Sequence, residues 1–216
     1  MAFTLYDYFR SSASYRVRIA LNIKQLDYTC VPISLLDNQQ NSRQYKNINA
    51  TSLLPTLEHN QCYIYQSLAI IEYLEQCYPT PSLLPCNTIE SAQCRAFALS
   101  IACDIHPLNN LRVLNYLEQK LTLTTEQKQQ WYHHWIEQGF TALEHQLARN
   151  NNPEKFCFGL APTLADICLI PQVYNARRFN LDLSKFPIIN TIEKHCNQLE
   201  PFIKAAPHLY QQKIEH

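Results

Sequence analysis

Glycine is almost missing from this chain: two of 216 residues. Freely jointed positions are therefore rare, and the second half reads as a rigid set of helices. Charge of one sign is missing as well. Lys+Arg and Asp+Glu both number 18, for a formal net charge of +0, so no global field draws the protein to nucleic acid or an anionic membrane. Any anion site must be local. No apolar run approaches the ~20 residues needed to cross a bilayer, and "MAFTLYDYFR" lacks the basic stretch and apolar core of a secretion signal. The expected location is the cytoplasm. Cysteine is present, but its informative patterns are not. Cys30, Cys62, Cys77, Cys86, Cys94, Cys103, Cys157, Cys168 and Cys196 are an odd set without a C-x-x-C pair, which excludes a disulfide framework and a zinc knuckle. Those on apolar faces, such as Cys168 in "ADICLIP", read as buried thiols. His133 and His134 are adjacent, point apart on a helix and make a poor metal pair. No metal is expected.

What is present has a clear order. "FTLYDY" reads as a strand, "SYRVRIALNI" as a helix with Val17, Ala20 and Leu21 on one face, and "DYTCVPIS" as a second strand. That β-α-β start implies a parallel pair with a right-handed crossover. Residues 35–50 hold at most a short helix. "LLPTLEHNQCYIY" suggests two short strands around the turn "HNQ", and "QSLAIIEYLEQCY" a helix capped by Ser67 with Leu68, Ile71 and Leu74 at helical spacing. The order β-α-β-(α)-β-β-α is that of a thioredoxin-like domain, here residues 1–80.

The three prolines of "YPTPSLLPCNT" break the helix, with the linker proper at 81–86. Everything from 87 to 216 reads as one all-α domain. "TIESAQCRAFALSIACDIHPLNNLRVLNYLEQKL" is expected to be one long helical segment bent at Pro107. "TTEQ" opens the next helix with a capping-box pattern. Thr163 with Asp166 three positions on leads "PTLADICLIPQVYNARRF", and "FPIINTIEKHCNQL" is a fourth helix. The tail from Glu200 is expected to be irregular.

The chemistry is concentrated in "YFRSSASYRVRIALN", Tyr8 to Asn22. A helix start needs one serine to accept hydrogen bonds from the first-turn N–H groups. Ser11, Ser12 and Ser14, with Arg10, Arg16 and Arg18 around them, would also stabilise an anion carried by a ligand. Spacing alone leaves both readings open. A dithiol enzyme of this topology would carry C-x-x-C at this helix, whereas the chain reads Ser11-Ser12-Ala13-Ser14. Sulfur chemistry would need a sulfur brought by the ligand.

"RSSASYRVRIAL" resembles the zeta-class glutathione transferase pattern R-S-S-C-S-x-R-V-R-I-A-L, with Ala13 in place of the family cysteine. "QSLAIIEYLE" and "LADICLIPQVYNARRF" are similar to two further segments of that class, and "IHPLNNLRVL" to the segment along its substrate cleft, with His106 where glutamine is common. The likeness runs from Leu5 to Leu183. It implies glutathione as cofactor, a homodimer, and cis-to-trans isomerisation of maleylacetoacetate in tyrosine and phenylalanine breakdown. The alternatives are a zeta-like transferase or dehalogenase of small α-halo acids, and a non-catalytic binding module.

The resemblance also implies site residues. Ser11 would stabilise the glutathione thiolate, helped by Ser12. Ser67, at a helix N-terminus, would receive the γ-glutamyl carboxylate, with Gln66 beside it. Leu54 and Pro55 form the family's cis-proline turn, which pairs with the cysteinyl backbone. Gln40 would meet the glycyl end, and Asn110 would be a further glutathione contact. Arg10, His106 and Arg178 would orient a dicarboxylate substrate.

Overall fold

The computed structural model describes residues 2–149 and 155–209, and of these residues 2–83 with 198–209 form one compact unit and 84–149 with 155–197 a second. In the first unit, strand β1 (Phe3–Asp7) leads into helix α1 (Ser12–Ile23) and strand β2 (Tyr28–Pro32). β1 and β2 pair in parallel with Leu5 opposite Cys30, as the β-α-β reading requires. Helix α2 (Arg43–Ile48) follows, then β3 (Thr56–His59), β4 (Cys62–Tyr65) and α3 (Ser67–Cys77). The sheet order is β2-β1-β3-β4. Asn60 and Gln61, both at positive φ (53° and 63°), make the two-residue hairpin turn, whose left-handed pair matches strand twist.

The core of this unit follows the apolar spacing. Phe3, Leu5, Val17, Ala20, Leu21, Leu57, Ile70, Ile71 and Leu74 are all buried, while Leu68 is only half-buried. Charged residues join them, Asp7, Arg16, Arg18 and Lys24. Arg18 Nη1 donates to both oxygens of Asp7 at 2.8 Å, its Nη2 to the Phe9 carbonyl and its Nε to the Ala205 carbonyl, each at 3.0 Å. Lys24 donates to the carbonyls of Tyr78 and Pro81 at 2.6 Å, closing the end of the unit.

Ala205 ends a helix where an irregular tail was expected. Helix α9 (Glu200–Ala205) buries Phe202 and Ala205, three positions apart, and Asn22 donates to the Pro201 carbonyl at 2.9 Å. Six residues are too few to show a period, and the helix is stabilised by packing rather than propensity. The chain thus returns to the first unit after residue 197, whereas the sequence placed all of 87–216 in the helical domain.

The second unit holds α4 (Thr88–Leu99), α5 (Leu111–Gln119), α6 (Thr125–Arg149), α7 (Leu164–Arg178) and α8 (Pro187–Cys196). The expected long helix through Pro107 is instead two helices, because the α-helical ladder is interrupted from Ser100. Residues Ser100–Ile105 form a π-helical turn, and Pro107–Asn109 a 3-10 turn. The bulge presses Ile105 onto α6 at Gly139. A Cβ there would lie 2.2 Å from Ile105 Cδ1, so only glycine permits the approach.

Both capping signals of the second unit hold. Thr124 N donates to Gln127 Oε1 at 2.8 Å, and Gln127 N to Thr124 Oγ1 at 3.2 Å, a reciprocal box. Asp166, fully buried, accepts from Thr163 N and Oγ1 at 2.8 Å and from Cys157 N at 2.7 Å. Burial pushes its carboxyl up, against the opposite pull of those bonds. Burial likewise raises the thiols of Cys94, Cys157 and Cys196, which are protonated filling. Among the described residues no helix is long and apolar enough to cross a membrane.

Candidate active site

The register of the first sheet brings three separated stretches together. Tyr6 pairs with Thr56 and Thr56 with Tyr65, so the end of β1, the start of β3 and the end of β4 share one edge. From that edge leave the loop to Ser11, the turn Leu54–Pro55 and the junction Gln66–Ser67.

Ser11 is the N-cap of α1: its Oγ accepts the Ser14 N–H at 3.2 Å. An oxygen used as acceptor leaves the hydroxyl proton to donate elsewhere. Ser12 is the first residue of the helix and buried, and Ala13 is half-buried beside it. The positive end of α1 is therefore lined by hydroxyls and backbone N–H groups. The three arginines separate in role. Arg18 is committed to Asp7. Arg10 is exposed with its guanidinium carbon 4.9 Å from the Phe9 ring. Arg16 is 2% exposed, and its Nη1 donates to Ser67 Oγ at 3.3 Å.

Ser67 is not the helix cap expected of it. Gln66 holds the N-cap position, with φ 72° and no side-chain cap bond, and Ser67 is the first helical residue. The chain turns from β4 into α3 within one residue, and a non-glycine at that φ carries strain of about 1–3 kcal/mol. Leucine and proline at 54–55 are joined by a cis bond, as the resemblance implied. The turn is held from below by residues the sequence did not single out. Tyr45 OH donates to the Leu53 carbonyl at 2.8 Å, and Asn49 Nδ2 to the same oxygen and to Thr56 Oγ1, both at 3.0 Å. Gln40 is half-buried; its Nε2 reaches Asn38 at 3.4 Å, and its buried Oε1 has no partner among the described residues.

The remaining candidates belong to the second unit. His106 follows the π-helical turn, its N–H bonded to the Ile101 carbonyl at 2.9 Å. Asn110 caps α5, its Oδ1 accepting from Arg112 N at 3.1 Å. Arg178 ends α7, exposed, with its guanidinium carbon 4.7 Å from the Phe179 ring. Phe179 stacks on Tyr132 at 3.8 Å. Burial raises the Tyr132 hydroxyl, and nearby Arg178 pulls it the other way. His133 is bonded to the Phe179 carbonyl at 2.7 Å and His134 packs on Trp135, so each has a non-metal neighbour.

Two helix starts leave one end of the sheet of this thioredoxin-like unit, one rich in hydroxyls and one backed by a buried guanidinium, an arrangement whose free N–H groups and donors suit an anion. The model of the glutathione S-transferase N-terminal domain matches residues 1–76. A probable maleylacetoacetate isomerase of Vibrio cholerae is 47% identical over 209 residues, covering 96% of each chain. The holo structure of a maleyl pyruvate isomerase, described as a bacterial zeta-class glutathione transferase, superposes with a TM-score of 0.93 at 40% identity, covering 94% of this chain and 96% of that one. The maleylacetoacetate isomerase of Methylobacterium extorquens AM1, solved with malonate and glutathione, gives 0.91 at 32% identity, with the same coverage. The chain belongs to the zeta class of the glutathione transferases.

Proposed function

We propose that this protein is a glutathione-dependent isomerase converting maleylacetoacetate to fumarylacetoacetate, acting in tyrosine and phenylalanine breakdown in the cytoplasm as a homodimer. The observation that carries the reading is near-full-length similarity to maleylacetoacetate isomerases in a chain whose α1 opens on Ser11 and Ser12. Glutathione fits the residues of the first unit: Ser11 and Ser12 for the sulfur, Ser67 with Arg16 behind it for the γ-glutamyl carboxylate, the Leu54 backbone for the cysteinyl part, and the Gln40 amide Nε2, a donor, for the glycyl end. When bound, it supplies a thiol that adds reversibly to the conjugated double bond and allows rotation. The protein's task is to keep that sulfur ionised. A free thiol has a pKa near 8.5, and hydroxyl donors at a helix N-terminus lower it. Arg178, Arg10 and His106 are assigned to the substrate carboxylates, a role supported by the malonate, itself a dicarboxylate, in the Methylobacterium structure.

A second substrate is favoured by the 0.93 match to a maleyl pyruvate isomerase. Following conversion of both maleyl compounds to their fumaryl isomers by absorbance tests the two readings. Turnover of neither, in protein retained on immobilised glutathione, would refute the isomerase function. Arg178→Ala is expected to raise KM for the dicarboxylate with glutathione affinity nearly unchanged, and Arg178→Lys to recover only part, because a point charge cannot reproduce a bidentate fork. Equal effects on both ligands would remove Arg178 from the substrate site.

Ser67→Ala is expected to weaken glutathione binding by about 1.5–3 kcal/mol, the value of a hydrogen bond to a charged group. Calorimetry showing an unchanged Kd would contradict the assignment. For the dimer, light scattering at micromolar concentration should report twice the 25.2 kDa chain mass.

A further inference from the structure

We infer that Arg16 is the positioning residue for the γ-glutamyl carboxylate of glutathione, acting through Ser67; the inference rests on the glutathione reading above. Arg16 lies on the fifth residue of α1 and is one of the largest fully buried side chains of the molecule. Placing a guanidinium there is costly in solvation, and it stays charged at every physiological pH. Its Nη1 reaches Ser67 Oγ at 3.3 Å, with Ser67 itself 5% exposed.

The direction of that bond follows from chemistry. Arginine has only donors, so Ser67 Oγ must accept, and the serine's own proton must point elsewhere. A serine left to itself as the first residue of a helix would be free to rotate and bond back to nearby backbone. Held by Arg16, its O–H is turned away from the interior and aligned with the open N–H groups of the first α3 turn. Gln66, the N-cap, offers no side-chain bond to those groups. The carboxylate would then meet a hydroxyl polarised by a permanent cation, together with the helix dipole. Because Arg16 belongs to α1, the same side chain ties the helix assigned to the sulfur to the helix assigned to the carboxylate.

The test uses the full-length protein and two ligands: glutathione, and the analogue with 4-aminobutyrate in place of the γ-glutamyl residue, which lacks only that carboxylate. Kd is measured by calorimetry for wild type, Arg16→Met, Arg16→Lys and Ser67→Ala, with kcat at saturating glutathione alongside. Arg16→Met is expected to weaken glutathione by at least about tenfold while leaving analogue affinity and kcat within about twofold to threefold, with Arg16→Lys in between. The double variant with Ser67→Ala should be scarcely weaker than Ser67→Ala alone, since both act on one contact. Equal losses for the two ligands, or wild-type glutathione affinity in a folded Arg16→Met, would overturn the inference. If Arg16→Met does not fold, Arg16→Lys decides by the same comparison of ligands. Failure of the wild type to bind glutathione would overturn the glutathione reading itself, whereas a normal wild type with a glutathione-specific loss in Ser67→Ala but none at Arg16 would overturn this inference alone.

Discussion

Replacing Ser11 with alanine is expected to lower turnover by about 10²–10³, the scale for losing one preorganised donor to a developing or resident anion. The hydroxyl proton is available because the oxygen already accepts from Ser14 N. The thiolate absorbance of bound glutathione near neutral pH should fall with turnover. Ser11 is also a helix cap, and losing a cap costs about 1 kcal/mol, so a control must separate the two roles. Ser11→Asp preserves the cap but sets a negative charge against the sulfur. It should remain as stable as the natural protein and still lose the thiolate. Ala13→Cys should change rates far less than Ser11→Ala, because the attacking sulfur belongs to glutathione and Ala13 contributes no donor. A Ser11→Ala protein that keeps both absorbance and turnover would move the role to Ser12 or the backbone. A natural protein that binds glutathione but isomerises nothing until Ala13 becomes cysteine would end the isomerase reading.

The largest loss of stability is expected from Arg18→Met. It leaves the Asp7 carboxylate buried without the Nη1 donor that both its oxygens share at 2.8 Å, with side-chain exposures of 0% and 4% for the pair. Removing one member of a buried ion pair costs about 3–5 kcal/mol, and for a chain of this size the melting temperature should drop by about 10 °C. The Phe9 and Ala205 carbonyls lose their donor in the same substitution. Combining Arg18→Met with Asp7→Leu should restore most of the loss, since a matched apolar pair has no stranded charge. A single variant melting with the natural protein would show that the pair is replaceable by water.

These two predictions rest on features of very different visibility in the chain. Features set by local spacing were legible: the parallel β-α-β start, the apolar face of Val17, Ala20 and Leu21, and the "TTEQ" and Thr163/Asp166 boxes. Features set by tertiary packing were not. The α-helical ladder already ends at Leu99, ahead of Pro107, and Ile105 in the turn that follows packs where a Cβ on residue 139 would collide, a contact between residues far apart in sequence. The positive φ at Gln66 has no signal in a glutamine. Within the site, the serines were visible as a motif. Arg16 and Arg18 were visible only as two basic residues near them; burial and partners in other elements gave them opposite tasks. Tyr45 and Asn49 had no motif at all, although they hold the turn that carries Leu54.

The return of the chain at α9 sets an order on synthesis. Arg18 leaves the ribosome early, but the Ala205 carbonyl that its Nε requires is made more than 180 residues later. At about 5–20 residues per second, the first unit waits on the order of ten seconds or more for its last helix. During that interval α1 lacks the cover of Phe202 and Ala205. A nascent chain paused before residue 200 would therefore hold every residue assigned to the sulfur and the carboxylate, and still present an unfinished site to protease and chaperone alike.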